Sequence, residues 1–73
     1  MALSDKDTEV RSRAATSLGF LKIGTTEAIH ALTKSLDDPE EEVRRAADGG
    51  LSLIGTPEAQ ESRKPYWDRK RRQ

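Results

Sequence analysis

Apolar residues recur along this chain at positions i, i+4, i+8 and i+11, the spacing of one face of an α-helix rather than a β-strand. The pattern occurs twice, in the sets Val10, Ala14, Leu18, Leu21 and Val43, Ala47, Leu51, Ile54. Between them, the segment "EAIHALTKSL" carries a third apolar face, made of Ala28, Ile29, Leu32 and Leu36. The pattern predicts an all-α chain in which each of these sets faces the core.

The two halves of the chain are copies of one unit. A shift of 33 residues superposes seven residues of each copy, in the pairs Leu3/Leu36, Asp5/Asp38, Val10/Val43, Arg11/Arg44, Ala14/Ala47, Leu18/Leu51 and Leu21/Ile54. The copies then differ by two residues, "FLKIGTTEA" against "LIGTPEA", which an insertion of Lys22 and Ile23 at the helix end explains. Each unit is predicted to be helix, tight turn, helix, with repeat 1 at about 3–35 and repeat 2 at about 36–62.

Start and stop signals delimit these helices. Asp38 is the predicted N-cap of the third helix, and Gly55 ends that helix. Thr56, followed by proline, begins the fourth helix, as Thr25 or Thr26 begins the second.

The segment "DPEEEVRRAA…LSLIGTPEA" resembles the HEAT-like repeat of the phycobilisome-lyase type, and the resemblance covers residues 3 to about 61. It implies two HEAT-like helical hairpins, a short α-solenoid, in one domain at 1–62 followed by a basic aromatic tail at 63–73. The resemblance implies no single activity, because its members include bilin-attachment and bilin-detachment factors as well as protein-binding scaffolds.

A two-repeat array leaves its core incomplete, because a helical pair cannot cover its own apolar face and about three repeats are normally needed. The second unit is also polar where the first is apolar, with Gln60 and Arg63 in the places of Ile29 and Leu32. Pro65 is expected to interrupt the last helix. Two interpretations stay open: the polar helix is a terminal cap, or another chain supplies the missing core.

Two adjacent glycines lie in the middle of the third predicted helix, where each destabilises by about 1 kcal/mol relative to alanine. Gly50 matches Ser17 and indicates a close approach between helices. Gly49 has no packing role in the pattern, and one hypothesis is that a partner approaches its backbone closely.

The charge is unevenly distributed although the net charge is +0. Residues 1–62 carry seven Lys/Arg against twelve Asp/Glu, whereas residues 63–73 carry six against one. The absence of cysteine excludes disulfides and thiolate metal sites, and favours a reducing compartment. We therefore expect a cytoplasmic protein without a transmembrane segment.

Catalytic chemistry has little support in the sequence. Nucleophilic catalysis needs a nucleophile beside a base, but the chain has no cysteine and a single histidine, His30, predicted to be exposed. Glu40, Glu41 and Glu42 stand at a helix start, where the helix dipole explains them better than a metal does. We expect no enzyme activity, no metal and no cofactor.

Four charged residues occupy equivalent positions in the two copies, namely Asp5, Arg11, Asp38 and Arg44. In proteins of the resembled type such residues form a ladder of hydrogen bonds between successive repeats. We expect the arginines to bind loop carboxylates or carbonyls and to set the stacking angle.

The tail "SRKPYWDRKRRQ" is open to three interpretations. It folds back so that Trp67 covers the end of the core, it anchors on a protein partner, or it binds RNA or an anionic surface. Its predicted contact residues are Tyr66, Trp67, Arg69, Arg71 and Arg72.

The function best supported is a non-catalytic protein-binding or scaffolding module, a small adaptor or subunit docked on a larger protein. The second helices of α-solenoids line a concave binding surface, which here contains Glu27, His30, Ala31, Lys34, Glu58 and Glu61. The alternatives are an accessory factor of phycobiliprotein assembly or breakdown and an RNA- or ribosome-associated protein. Self-association of two end-to-end copies is also open.

Overall fold

The computed structural model describes residues 6–72 of the chain. It contains four helices, which are α1 (Thr8–Phe20), α2 (Thr26–Ser35), α3 (Glu41–Ile54) and α4 (Pro57–Arg71). No strand occurs in this part of the chain. The all-α prediction and the two helical hairpins are confirmed.

The helices form two layers, with α1 against α3 in one and α2 against α4 in the other. The core lies between the layers and consists of Ala15, Ile29, Leu32, Leu36, Ala47, Leu51, Ala59 and Tyr66. The predicted apolar faces of α2 and α3 are confirmed, since Leu32, Val43 and Leu51 are fully buried. Helix α3 is central because it packs against each of the other three helices.

Helices α1 and α3 cross with their backbones in contact. An ideal Cβ on Gly19 would lie 2.5 Å from the Cα of Gly50, and one on Gly50 would lie 2.7 Å from the carbonyl oxygen of Ala15. Only glycine fits at these two positions without moving a backbone. The predicted close approach at Gly50 is therefore observed, and Gly49 next to it has nothing within 4 Å of its Cβ position.

The predicted core face of α1 is right for Leu18, which packs against the core, and wrong for Val10 and Leu21, which are 38% and 70% exposed. Helix α1 instead buries Ser12, Ala15 and Gly19. Small residues are required on this buried side, because the glycine crossing brings the two backbones too close for larger side chains. Contact between α1 and α3 therefore leaves Val10 and Leu21 at the surface.

The chain turns differ between the two repeats because of the inserted residues. Helix α3 ends at Gly55, which has the left-handed φ of 68°. In repeat 1 the left-handed residue is Lys22, with a φ of 52°. The N–H of Lys22 bonds to the carbonyl oxygen of Gly19, and the N–H of Ile23 to that of Leu18, which together form a Schellman motif.

The predicted N-caps are right for α2 and α4 and wrong for α3. Thr25 and Thr56 each accept the N–H of the residue three positions on. Helix α3 begins later than predicted, with Glu40 at the cap position. Asp38 instead accepts the N–H of Glu40 in a turn before the helix, because its carboxylate is also held by Arg11.

Helix α4 continues through the segment that the sequence analysis assigned to a separate tail. The predicted interruption at Pro65 is wrong, and the proposed boundary at residue 62 falls inside this helix. Proline removes one backbone hydrogen bond. Tyr66, the next residue, is only 5% exposed and holds the helix in the core, so the lost bond does not end it.

Candidate protein-binding surfaces

An ion pair between Arg11 and Asp38 joins the two repeats. Arg11 of α1 donates from Nε to Oδ2 of Asp38 at 2.9 Å and from Nη2 to Oδ1 at 3.3 Å. Both side chains are mostly buried, so this bidentate pair sets the relative position of the repeats. Arg44 donates to the backbone oxygen of Asp38 at 2.6 Å. The structure thus brings together three of the four predicted ladder residues, and Asp5 lies outside the described residues.

The predicted contact residues on the second helices lie mainly on the outer surface. Five of them are exposed, namely Glu27, His30, Lys34, Glu58 and Glu61, and Ala31 is half-buried. Glu61 forms an exposed ion pair with Lys64 at 3.4 Å. These residues offer a mixed-charge surface without a hydrophobic centre, and their role in binding stays a prediction.

The predicted tail residues have different environments. Tyr66 is buried, so the structure gives it a core role instead of the predicted partner contact. Arg69 binds the carboxylate of Asp37 at 2.6 Å. Arg71 binds Asp68 at 3.2 Å. Arg72 is exposed at the end of α4.

A polar cluster closes the C-terminal end of the molecule, and we call it the Asp48 cap. It consists of Asp48 on α3 and Arg63 and Trp67 on α4. Asp48 Oδ1 accepts from Arg63 Nε at 2.7 Å and from Trp67 Nε1 at 3.0 Å. The guanidinium of Arg63 also lies 5.9 Å from the Trp67 ring centroid. This arrangement covers one side of α3 with hydrogen-bonded polar groups, which is the kind of outer face that terminal repeats of solenoids carry.

The opposite end of the molecule carries an apolar surface. The outer side of α1 presents Val10, Ala14, Ser17 and Leu21, which we call the open α1 face. Val10, Ser17 and Leu21 are exposed, Ala14 is half-buried, and Phe20 beside them is 72% exposed. Apolar clusters of this kind on a small protein mark interaction sites.

The apolar spacing did not predict this surface, because it placed Val10, Ala14 and Leu21 in the core. Their equivalents on α3 are covered, with Val43 and Ala47 fully buried and Ile54 half-buried against the core. Helices α2 and α4 both pack on α3, whereas α2 packs only slightly on α1. A signal was present in the small residues Ser12, Ala15 and Gly19, which share one side of α1 and match the glycine of α3.

Neither a metal-binding cluster nor a membrane-spanning helix is found in residues 6–72. Within residues 6–72 there is no group of three His, Cys, Asp or Glu residues that could hold a metal ion. None of the four helices has the length and apolar character required to cross a bilayer.

Two stacked helical hairpins, joined by an ion pair between repeats, define the chain as a short α-solenoid. A family model for HEAT repeats matches residues 1–62. The chain therefore belongs to the HEAT-repeat family. No curated protein and no solved structure matches it significantly. HEAT repeats generally mediate contacts between proteins, and the finer resemblance to the phycobilisome-lyase type stays a prediction.

Proposed function

We propose that this chain is a non-catalytic protein-binding module, a small adaptor or subunit that docks on another protein. The open α1 face carries the proposal. It exposes an apolar stripe that the equivalent residues of α3 bury under neighbouring helices. A helix from another chain would cover it in the same way and remove this apolar surface from water.

The charge pairing on α4 supports a protein partner over a polyanion. Four of the basic side chains after Ser62 are paired with carboxylates of the same chain, namely Arg63, Lys64, Arg69 and Arg71. Each such pair reduces the positive potential that would attract phosphates. These ion pairs therefore favour a structural role for the basic segment over binding to a polyanion.

The test is affinity capture from the source organism's lysate with the full chain immobilised, with and without nuclease. Leu21→Lys alters the open α1 face, and Leu53→Lys is its control because Leu53 is a 43% exposed hydrophobic residue on α3. We expect one stoichiometric protein that survives nuclease and is lost with Leu21→Lys only. Capture of nuclease-sensitive material alone, or equal loss with both variants, would contradict the proposal.

A further inference from the structure

The two ends of the molecule differ in a way that limits how copies of it can associate. The Asp48 cap is polar and its groups bond to one another, whereas the open α1 face is apolar. Continuous head-to-tail stacking would place apolar α1 against the charged cap and is therefore unfavourable. Contact between two open α1 faces buries apolar surface on both sides and closes with two-fold symmetry.

We propose that the open α1 face binds the same face of a second copy, with the two α1 helices antiparallel. This inference rests on the proposed function and names the partner as another copy of this chain. Val10, Ala14, Ser17 and Leu21 are separated by four, three and four residues, which is the alternation of a coiled-coil seam.

The seam is complementary to itself when the helices run in opposite directions. Val10 then lies opposite Leu21 of the other copy, and Ala14 lies opposite Ser17. The larger side chains therefore meet at both ends, and the small ones at the centre let the backbones approach. A parallel arrangement would instead pair Leu21 with Leu21 and Ala14 with Ala14, so that one end of the seam is crowded and the middle is empty.

The flanks of the seam fit the same arrangement. Arg13 and Phe20 are seven residues apart on one flank, so the antiparallel pairing places each Phe20 near Arg13 of the other copy. Phe20 is 72% exposed in the single chain, and the Arg13 side chain, which forms an exposed ion pair with Glu9, is also accessible. An arginine over an aromatic ring is favourable at such sites, which gives Phe20 a contact that the single chain lacks.

One helix from each copy makes a small interface. Stable interfaces bury roughly 1,200 Å² or more in total, and a seam of about three helical turns falls below that area. We therefore expect a reversible dimer with a dissociation constant on the order of 10–100 μM.

Sedimentation velocity of the full chain tests the association, over a concentration range from about 10 μM to about 1 mM. We expect the mass to rise from monomer to dimer and to stop there. Leu21→Lys should weaken the dimer at least about tenfold, while Leu53→Lys leaves it unchanged. A monomer throughout the range, or growth beyond a dimer, would overturn the proposal.

Disulfide trapping tests the direction of the helices, because the chain has no cysteine of its own. Chains with Val10→Cys and chains with Leu21→Cys are mixed and oxidised. We expect cross-links between the two variants, since like positions are about 16 Å apart along antiparallel helices. Cross-links formed mainly within each variant would overturn the antiparallel arrangement.

The capture experiment separates this inference from the proposed function. If the chain is monomeric but Leu21→Lys abolishes capture of a different protein, the dimer is excluded and the protein-binding function stands. If the chain dimerises as expected and captures no other protein, protein binding through the open α1 face stands with a second copy as the partner, and docking on a different protein is excluded.

Discussion

The two ends of this small solenoid are built from equivalent helices and yet expose opposite surfaces. At the N-terminal end, α1 presents Val10 and Leu21 to solvent. At the C-terminal end, the side of α3 that matches the buried side of α1 carries Asp48, which is bonded to Arg63 and Trp67. The sequence repeat therefore does not produce two equivalent surfaces, and the two ends differ in what they can bind.

The difference arises from a few substitutions between the repeats. Asp48 occupies the position of Ala15, and Arg63 that of Leu32. In repeat 1 both residues are apolar and fully buried, because a following repeat stacks on them. In repeat 2 the same positions carry groups that bond to each other.

The largest effect is expected at the glycine crossing that holds α1 on the rest of the molecule. Gly50→Ala should destabilise the fold by about 3 kcal/mol, because the new Cβ overlaps backbone atoms of α1. Gly49→Ala is the matched control: its Cβ position is empty, so we expect a gain of about 0.5–1 kcal/mol from helix propensity.

Urea unfolding followed by circular dichroism measures both glycine variants. Opposite signs at these adjacent positions would show that the crossing, and not helix propensity, determines the outcome. If Gly50→Ala were as stable as Gly49→Ala, the close packing of α1 on α3 would be incorrect.

The next effect concerns the Asp48 cap. Asp48→Ala leaves the partly buried guanidinium of Arg63 and the Trp67 N–H without their acceptor. We expect a loss of about 2 kcal/mol after allowing for partial exposure. Asp68→Ala, which breaks only the exposed pair with Arg71, should change stability by less than about 0.5 kcal/mol. Equal losses in a denaturant titration would argue against a structural role for the cap.

A third prediction concerns a variant in which the C-terminal end is apolar like the N-terminal end. The triple substitution Asp48→Ala, Gln60→Ile and Arg63→Leu gives repeat 2 the residues that repeat 1 uses for stacking, Ala15, Ile29 and Leu32. The chain should then stack head to tail, with association at least about tenfold stronger, or about 1.4 kcal/mol. Light scattering should show a mass that keeps rising with concentration.

Adding Leu21→Lys to the triple variant is the control for that prediction. It introduces a charged group at the N-terminal end and should return the sample to smaller oligomers. Continued growth with Leu21→Lys present would mean that the new contacts do not involve the open α1 face.

The smallest effect is expected at the turn after α1. Lys22 adopts a left-handed backbone, which glycine tolerates without strain. Lys22→Gly should stabilise the chain by about 0.5–1 kcal/mol, since the relief of strain exceeds the added flexibility of the unfolded chain. Thermal unfolding at a low, monomeric concentration measures this change, and a lower melting temperature would contradict the assigned φ.

Much of the architecture follows from the amino-acid sequence alone. The apolar spacing gave the helices α2 and α3 with their buried faces, and Thr25, Thr56 and Gly55 marked helix boundaries. These signals are local, because capping and periodicity depend on residues within one or two turns. The candidate surfaces depend on contacts between distant residues and were therefore harder to predict.

The C-terminal end of helix α4 also could not be predicted from local sequence signals. Pro65 is a strong local signal for ending a helix, yet the burial of Tyr66 and the bonds of Arg63 and Trp67 to Asp48 keep α4 continuous. Tertiary contacts of several kcal/mol outweigh the loss of one backbone hydrogen bond.

The sequence by itself determined the all-α class, the two repeats, the identity of the family and the paired arginine positions, because these follow from spacing along the chain. Only the tertiary structure decided which side of α1 is buried. Gly19 and Gly50 allow the two helices to meet through their small faces, and Val10 and Leu21 of α1 then stay exposed. Which face a helix buries depends on how closely its neighbour can approach, and that distance is a property of the pair of helices.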